Sequence, residues 1–344
     1  MAGTTETESK VSQVSRETSS PRPETLPGVT HGAGVVLRPS SNYEDTPIGA
    51  AAARATQYKH PGGATLPRPE RRRILTIANQ KGGVGKTTTT VNVAAALALH
   101  KLTVLVIDLD PQGNASTALG VPHQSGTPSI YEVLLGETSL EETVQTSTHS
   151  PNLLCVPATI DLAGAEIELV SLVAREGRLK RALDADALDR LGVDFVLIDC
   201  PPSLGLLTVN ALVAAPEVLI PIQCEYYALE GLGQLLRNIE LVQVHLNPEL
   251  HVSTILLTMY DGRTKLADQV ADEVRTHFGD LVLRTMIPRS VKVSEAPGYG
   301  QTVLAYDPGS RGAMSYLDAG REFARRGDIT LSRPPRDDEQ GAQE

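Results

Sequence analysis

Lys81-Gly82-Gly83-Val84-Gly85-Lys86-Thr87-Thr88 gathers three glycines, two ammonium groups and two hydroxyls into one short stretch. Those residue types suit the holding of phosphate. Glycines let backbone N–H groups close around an anion, and a helix that starts directly afterwards adds the positive end of its dipole. In such a cradle Lys86 reaches the β- and γ-phosphates of a nucleotide and the Thr87 hydroxyl ligates Mg²⁺. The general pattern for this loop has a further glycine where Gln80 stands, and the chain carries a second lysine, Lys81, beside it. A glycine-rich turn with two solvated lysines is the plain alternative, and the flanking elements weigh against it.

An apolar run, Ile74 to Asn79, leads into the loop, and a segment rich in Ala, Val and Leu follows it to His100. Strand, turn and helix in that order are what a phosphate loop requires. A second apolar run, Thr103 to Ile107, ends in Asp108-Leu109-Asp110-Pro111-Gln112-Gly113-Asn114, and a third, Asp194 to Ile198, ends in Asp199-Cys200-Pro201-Pro202. β-Branched runs of this kind lie in the middle of parallel sheets, and ligands of open α/β sheets bind at the carboxyl ends of the strands. Asp199 is therefore placed to hold a Mg²⁺-bound water opposite Thr87, because a hard cation takes oxygen ligands and keeps several waters. An Asp-Pro turn accounts for Asp108 or Asp110 alone, but not for the whole run beside this loop.

Further strands are expected at Leu153–Pro157, Glu217–Gln223, His251–Met259 and Leu281–Ile287. Helices are expected at Ala163–Leu169, from beyond Gln223 to about Leu246, at Lys265–Phe278 and at Arg311–Arg326. The alternation predicts an α/β fold, a doubly wound and mostly parallel sheet with helices on both faces, over residues 71–326. Residues 1–70 are rich in Ser, Thr, Pro and Ala and read as a disordered arm, and the proline-broken stretch 327–344 reads as a flexible polar tail. Arg71-Arg72-Arg73 marks the start of the domain, as a solvated edge or as a phosphate contact.

With 344 residues, 41% of them hydrophobic, the chain can bury a large core; aromatics are only 3% and tryptophan is absent, which argues against base stacking as a mode of nucleic-acid recognition. Three widely spaced cysteines form no disulfide framework and suit a reduced, cytoplasmic setting. A net charge of −10 excludes a globally basic nucleic-acid binder. Between His251 and Arg326, however, Lys and Arg outnumber Asp and Glu by one, which leaves room for a local basic face.

The loop at Lys81–Thr88, with the Asp108–Asn114 and Asp199–Pro202 segments following in order, resembles the deviant Walker A of the ParA/MinD ATPases. The stretch Pro221-Ile222-Gln223-Cys224-Glu225-Tyr226-Tyr227-Ala228-Leu229-Glu230-Gly231-Leu232 narrows the resemblance to the ParA partitioning branch. The resemblance implies a P-loop ATPase of weak intrinsic activity that uses ATP and Mg²⁺ bound by Lys81, Gly82, Gly83, Val84, Gly85, Lys86, Thr87 and Thr88. By position Asp110 matches the residue that orients the attacking water, with Asp108 as its competitor, and Pro288 and Arg289 match the adenine pocket. Lys81 would cross to the nucleotide of a partner subunit, so that ATP joins a homodimer. Positions of DNA contact match Arg263 and Lys292, with Arg289, Arg311 and Arg321 as further candidates. The implied role is chromosome or plasmid segregation: a nucleoid-associated dimer that binds DNA non-specifically and is released when a ParB-type centromere-binding protein stimulates hydrolysis.

A MinD-like spatial regulator at the membrane is the alternative. It needs an amphipathic C-terminal helix, and Pro334, Pro335, Asp337, Asp338 and Glu339 leave the tail without an apolar face. A nitrogenase iron-protein-like reductase would require cluster-bridging cysteines, whereas Cys200 and Cys224 read as small core residues.

Overall fold

The computed structural model describes residues 66–226 and 228–326; the expected tail, Tyr227 and the expected arm up to residue 65 lie outside the described residues. Seven strands form one sheet in the order β3-β4-β2-β5-β1-β6-β7. They are β1 Arg73–Ile77, β2 Val104–Asp108, β3 Gln145–Thr146, β4 Leu153–Val156, β5 Phe195–Asp199, β6 Glu217–Gln223 and β7 His251–Thr258. All neighbours pair in parallel except β3, which runs antiparallel to β4 at one edge. The expected doubly wound α/β architecture is the one observed.

The helices that position the site are α1 Lys86–Leu99, α2 Asn114–Ala118, α3 Ile130–Leu135, α4 Leu162–Leu169, α5 Leu206–Ala214, α6 Ala228–His245, α7 Lys265–Phe278, α8 Val291–Glu295 and α9 Arg311–Arg325. Side chains alternate across each strand, so Val104 and Val106 of β2 meet α1 and α9 on one face, while Leu105 and Ile107 meet α3 and α4 on the other. Burial on both faces explains why β2 and β5 read as unbroken apolar runs.

Three expectations change. Leu281–Ile287 is not a strand. It touches β7 through the Leu283 and Ile287 N–H groups, but the Arg284 and Thr285 N–H groups are taken by the Glu322 carboxylate of α9, which prevents a continuous ladder. Burial also begins before residue 71, because Leu66 lies in the core. Finally, two of the three arginines at 71–73 are structural. Arg72 donates to the Val193 carbonyl and pairs with Asp189. The Arg73 guanidinium is buried, 4.3 Å from the Phe323 ring centroid, and donates to both oxygens of Glu217 at 2.9 and 2.6 Å.

Removing one member of a buried pair leaves the other uncompensated. Arg73→Ala should therefore destabilise the domain by about 3–5 kcal/mol, read in thermal denaturation as a fall in Tm of roughly 10 °C. An unchanged Tm would show that Glu217 is solvated in its absence.

Candidate functional site

The loop between β1 and α1 is pinned from both sides. Asn79 donates to the Pro221 carbonyl of β6 at 2.8 Å and accepts the Lys81 N–H at 3.0 Å, while Thr258, at the end of β7, donates to the Val84 carbonyl at 2.8 Å. Gly83 and Gly85 adopt φ of +75° and +89°, a left-handed backbone that favours glycine. A Cβ added at Gly82 or Gly83 would meet nothing within 4 Å, so the loop borders open space of the kind a phosphate chain would fill. Thr87 and Thr88 lie in the first turn of α1, whose N-terminus carries no side-chain cap and leaves its N–H groups for an anion. Lys86 folds back over the loop, donating to the Lys81 carbonyl at 3.2 Å. Burial lowers its pKa, and the nearby Asp199 opposes that shift.

Opposite the loop, adjacent strands place Asp108 and Asp199 in direct register. Both are fully buried. Asp108 Oδ2 accepts the Ser116 N–H at 2.8 Å and the Ser116 hydroxyl at 2.7 Å, and Oδ1 accepts the Asp110 N–H at 3.1 Å. Asp199 Oδ1 accepts the Thr90 hydroxyl at 2.9 Å, and the Thr87 side chain stands beside the same carboxylate. Asp199 Oδ2 is buried with no hydrogen-bond partner among the described residues. An orphaned carboxylate oxygen beside a threonine hydroxyl is a donor set that fits a hydrated Mg²⁺.

Desolvation, reinforced by Asp108, pushes Asp199 up to about 8, and desolvation pushes Asp108 up to about 6. The two titrate as a pair. A carboxyl whose folded pKa lies above its unfolded value contributes stability that is present at low pH and is lost as pH rises through the folded pKa. The nucleotide-free protein should therefore lose stability between about pH 4 and 8. Mg²⁺ binding has the opposite sign, since it needs the ionised carboxylate; below about pH 8 its apparent affinity should rise by up to about tenfold per pH unit. Calorimetry of Mg²⁺–nucleotide binding in buffers of different ionisation enthalpy would report the released proton. Asp199→Asn should abolish that release and raise the Tm of the nucleotide-free protein at pH 8.5 by roughly 2–4 °C.

The remaining candidates fall into two groups. Asp110 is half-buried at the mouth of the site, where its Oδ1 accepts the Gln112 N–H at 3.0 Å. The chain beyond β7 brings Arg263, Pro288, Arg289 and Arg311 to one cleft of about 710 Å³, floored by Tyr260 and Met286. Pro288 is tied to the end of β7 by bridge pairing with Tyr260, two residues beyond the Thr258 that donates to the Val84 carbonyl of the loop. Arg263 is paired with Asp261 at 2.7 Å, and Lys292, on α8, with Glu295 at 3.1 Å; both are exposed pairs, which cost little to exchange for phosphate. Arg321 does not join them: it contacts His100, at the far end of α1 from the loop. Cys200 and Cys224 are buried, and burial pushes both thiols up.

Glu225 is the residue of the site that sequence reasoning missed. Lys81 pairs with Glu225, just past the end of β6. Glu225 follows a strand end as Asp108 and Asp199 close theirs, and that position was the available signal.

The family model described as AAA domain matches residues 72–252. The chain is 52% identical over 255 residues to the sporulation initiation inhibitor protein Soj of Bacillus subtilis, covering 74% of this chain and 99% of that protein. It is 51% identical over 254 residues to the chromosome partitioning protein ParA of Myxococcus xanthus, covering 74% and 88%. The chain belongs to the Soj/ParA family of chromosome-partitioning ATPases. Solved structures similar to this ParA-family chain include a Mycobacterium smegmatis protein described as cobyrinic acid a,c-diamide synthase with bound ATP analog and magnesium, at 41% identity and a TM-score of 0.60, covering 74% of this chain and 93% of that one. The cell division ATPase MinD of Pyrococcus furiosus is similar at 26% identity and a TM-score of 0.60, covering 74% and 99%. Among the described residues no helix is long and apolar enough to cross a membrane.

Proposed function

We propose that this chain is an ATP-driven switch for chromosome or plasmid segregation. Two copies sandwich two ATP molecules, the joined form binds DNA without sequence preference, and hydrolysis stimulated by a ParB-type partner releases it. The observation that carries the reading is Lys81: an ammonium on the phosphate loop, about a third exposed and held by an equally exposed carboxylate that lies outside the loop. Such a pair is worth little, so Lys81 can leave Glu225 for a phosphate supplied by a second copy.

Within one copy the roles follow from position. Lys86 and the loop N–H groups hold the β- and γ-phosphates, Thr87 and, through water, Asp199 hold Mg²⁺, and Asp110 orients the attacking water. Mg²⁺ supplies neutralisation of the charge that develops on the phosphates. Lys81 adds a positive charge in trans, in the manner of an arginine finger. Pro288 and Arg289 border the base, and Arg263, Lys292, Arg289 and Arg311 contact DNA phosphates.

Co-sedimentation with DNA in ATP, ADP or no nucleotide, across a salt series, tests this. Binding is expected with ATP alone, and if both copies contribute these four cations it should fall by roughly 10⁴-fold between 50 and 200 mM salt. Arg263→Glu should weaken it for all sequences alike. Binding that ignores the nucleotide would leave a simple DNA-associated protein, and the switch would be lost.

A further inference from the structure

Residues 296–303 join the segment that bears Lys292 to the two segments that surround the phosphates. On one side, α8 runs directly into the 3₁₀ turn Ala296–Tyr299, which Gly300 closes by donating to the Pro297 carbonyl at 3.0 Å. The Lys292 ammonium sits 5.4 Å from the centroid of the Tyr306 ring, and that ring stacks on Tyr299 at 5.0 Å. On the other side, the buried Asn92 of α1 accepts the Val303 N–H at 2.8 Å and donates to the Thr88 carbonyl of the phosphate loop at 2.8 Å. The turn itself rests on α2, since a Cβ at Gly300 would lie 3.4 Å from the Thr117 carbonyl. Helix α2 continues from the loop that carries Asp110, and its Ser116 holds Asp108.

His149 fastens α2 to that turn. Its Nε2 is 3.1 Å from the Ala118 carbonyl, at the end of α2, and 3.1 Å from the Gly300 carbonyl. Carbonyl oxygens only accept, so Nε2 carries a proton and one N–H is shared between the two segments. The half-buried imidazole has a fixed base. Ser147 donates to the Leu119 carbonyl at 2.7 Å and accepts the His149 N–H at 3.2 Å. Room to move independently is small on the far side as well, because a Cβ at Gly312 of α9 would come within 2.4 Å of Val293 in α8. Elements packed this closely shift as units rather than deform continuously.

We infer that His149 is a positioning residue for DNA binding. Through its shared N–H, the place that α2 takes up around ATP fixes the place of the turn, and with it the reach of Lys292. The inference rests on the ATP-switch reading and adds a second requirement to it: the nucleotide sets the DNA face within each copy, besides joining the copies. A dimer that merely summed the cations of two copies would need no such link. Differential contact with the two nucleotide states is what lets a ligand at one site bias another. Here the biased element is the turn at 296–300, and the bond that carries the bias is the one His149 divides between Ala118 and Gly300.

Full-length His149→Phe, which keeps a ring but loses the N–H, and His149→Gln, which restores an N–H at similar reach, test this beside the parent. With a non-hydrolysable ATP analogue both variants should pair as the parent does in light scattering. DNA affinity of the Phe variant should fall about tenfold or more at 100 mM salt. Its slope of log affinity against log salt should shrink by about 2, one lost Lys292 contact in each copy. The Gln variant should recover both, and Lys292→Ala should reproduce the smaller slope without the His149 change. Parent-like affinity and slope in the Phe variant would overturn the inference. So would loss of pairing, which would assign His149 to the nucleotide site, and so would a Gln variant no better than Phe. If the parent ignores DNA in ATP, or Lys292→Ala leaves the slope unchanged, the DNA-binding reading itself is wrong and His149 has nothing to position.

Discussion

Lys81→Ala should remain monomeric in saturating Mg²⁺–ATP, with its affinity for ADP changed by no more than about two- to threefold. Truncating one partner of a desolvated charge contact costs about 2–5 kcal/mol, and a symmetric pair loses two such contacts. The dimer dissociation constant should thus rise by about 10³-fold or more. ADP binding is spared because Lys86, the loop N–H groups and Thr87 belong to the copy's own cradle, whereas Lys81 points to Glu225. Light scattering with a non-hydrolysable analogue reads the first expectation and calorimetry with ADP the second. Glu225→Gln is the informative control: it frees Lys81 without removing it, and pairing should not weaken. A Lys81→Ala variant that pairs normally would remove the trans role.

Asp110→Ala should reduce ATP turnover by about 10²-fold or more, the usual contribution of a group that positions or deprotonates a nucleophile, while leaving ATP-dependent pairing and DNA binding intact. The two carboxylates of the Asp108–Asp110 segment are sorted by burial. Asp108 has both oxygens committed to Ser116 and to the Asp110 N–H, inside a closed pocket. Asp110 stands at the rim, where an oxygen can meet water. A trapped, DNA-bound dimer is the expected phenotype, detected as long residence on DNA after ATP is diluted away. Loss of pairing in Asp110→Ala would instead assign the residue to nucleotide binding. Asp108→Ala is expected to disturb the fold of the 109–116 loop rather than turnover alone, because Ser116 and the Ala158 N–H hang on it.

Legibility tracked sequence separation. The β1–loop–α1 unit, the aspartates that close β2 and β5, and the helices at 265–278 and 311–325 could be read because each is coded by contiguous residues: a short apolar run, a turn with glycines, a periodic helix. The 281–287 segment reads apolar like a strand, yet Glu322, some forty residues later, claims its N–H groups. Arg73 looked like one of three equivalent cations until Glu217 and Phe323 closed around it. Likewise Arg321 carries the same charge as Arg263 but is spent on His100 at the opposite end of α1.

Residue order alone therefore determined the chemistry available to this chain, a phosphate loop with an extra lysine and two strand-end carboxylates, because strand, turn and helix propensities and the reach of a glycine loop are local. Tertiary structure decided which of those groups face one another. Only the register of β2 with β5 sets Asp108 against Asp199 and leaves one oxygen orphaned; only the end of β6 supplies Glu225 to Lys81; and only the seating of α4 against the sheet buries Leu162, Ala165 and Leu169 while leaving Ile167 in water. Pairings between residues a hundred positions apart are selected by the free energy of the whole core, to which no single stretch of chain has access.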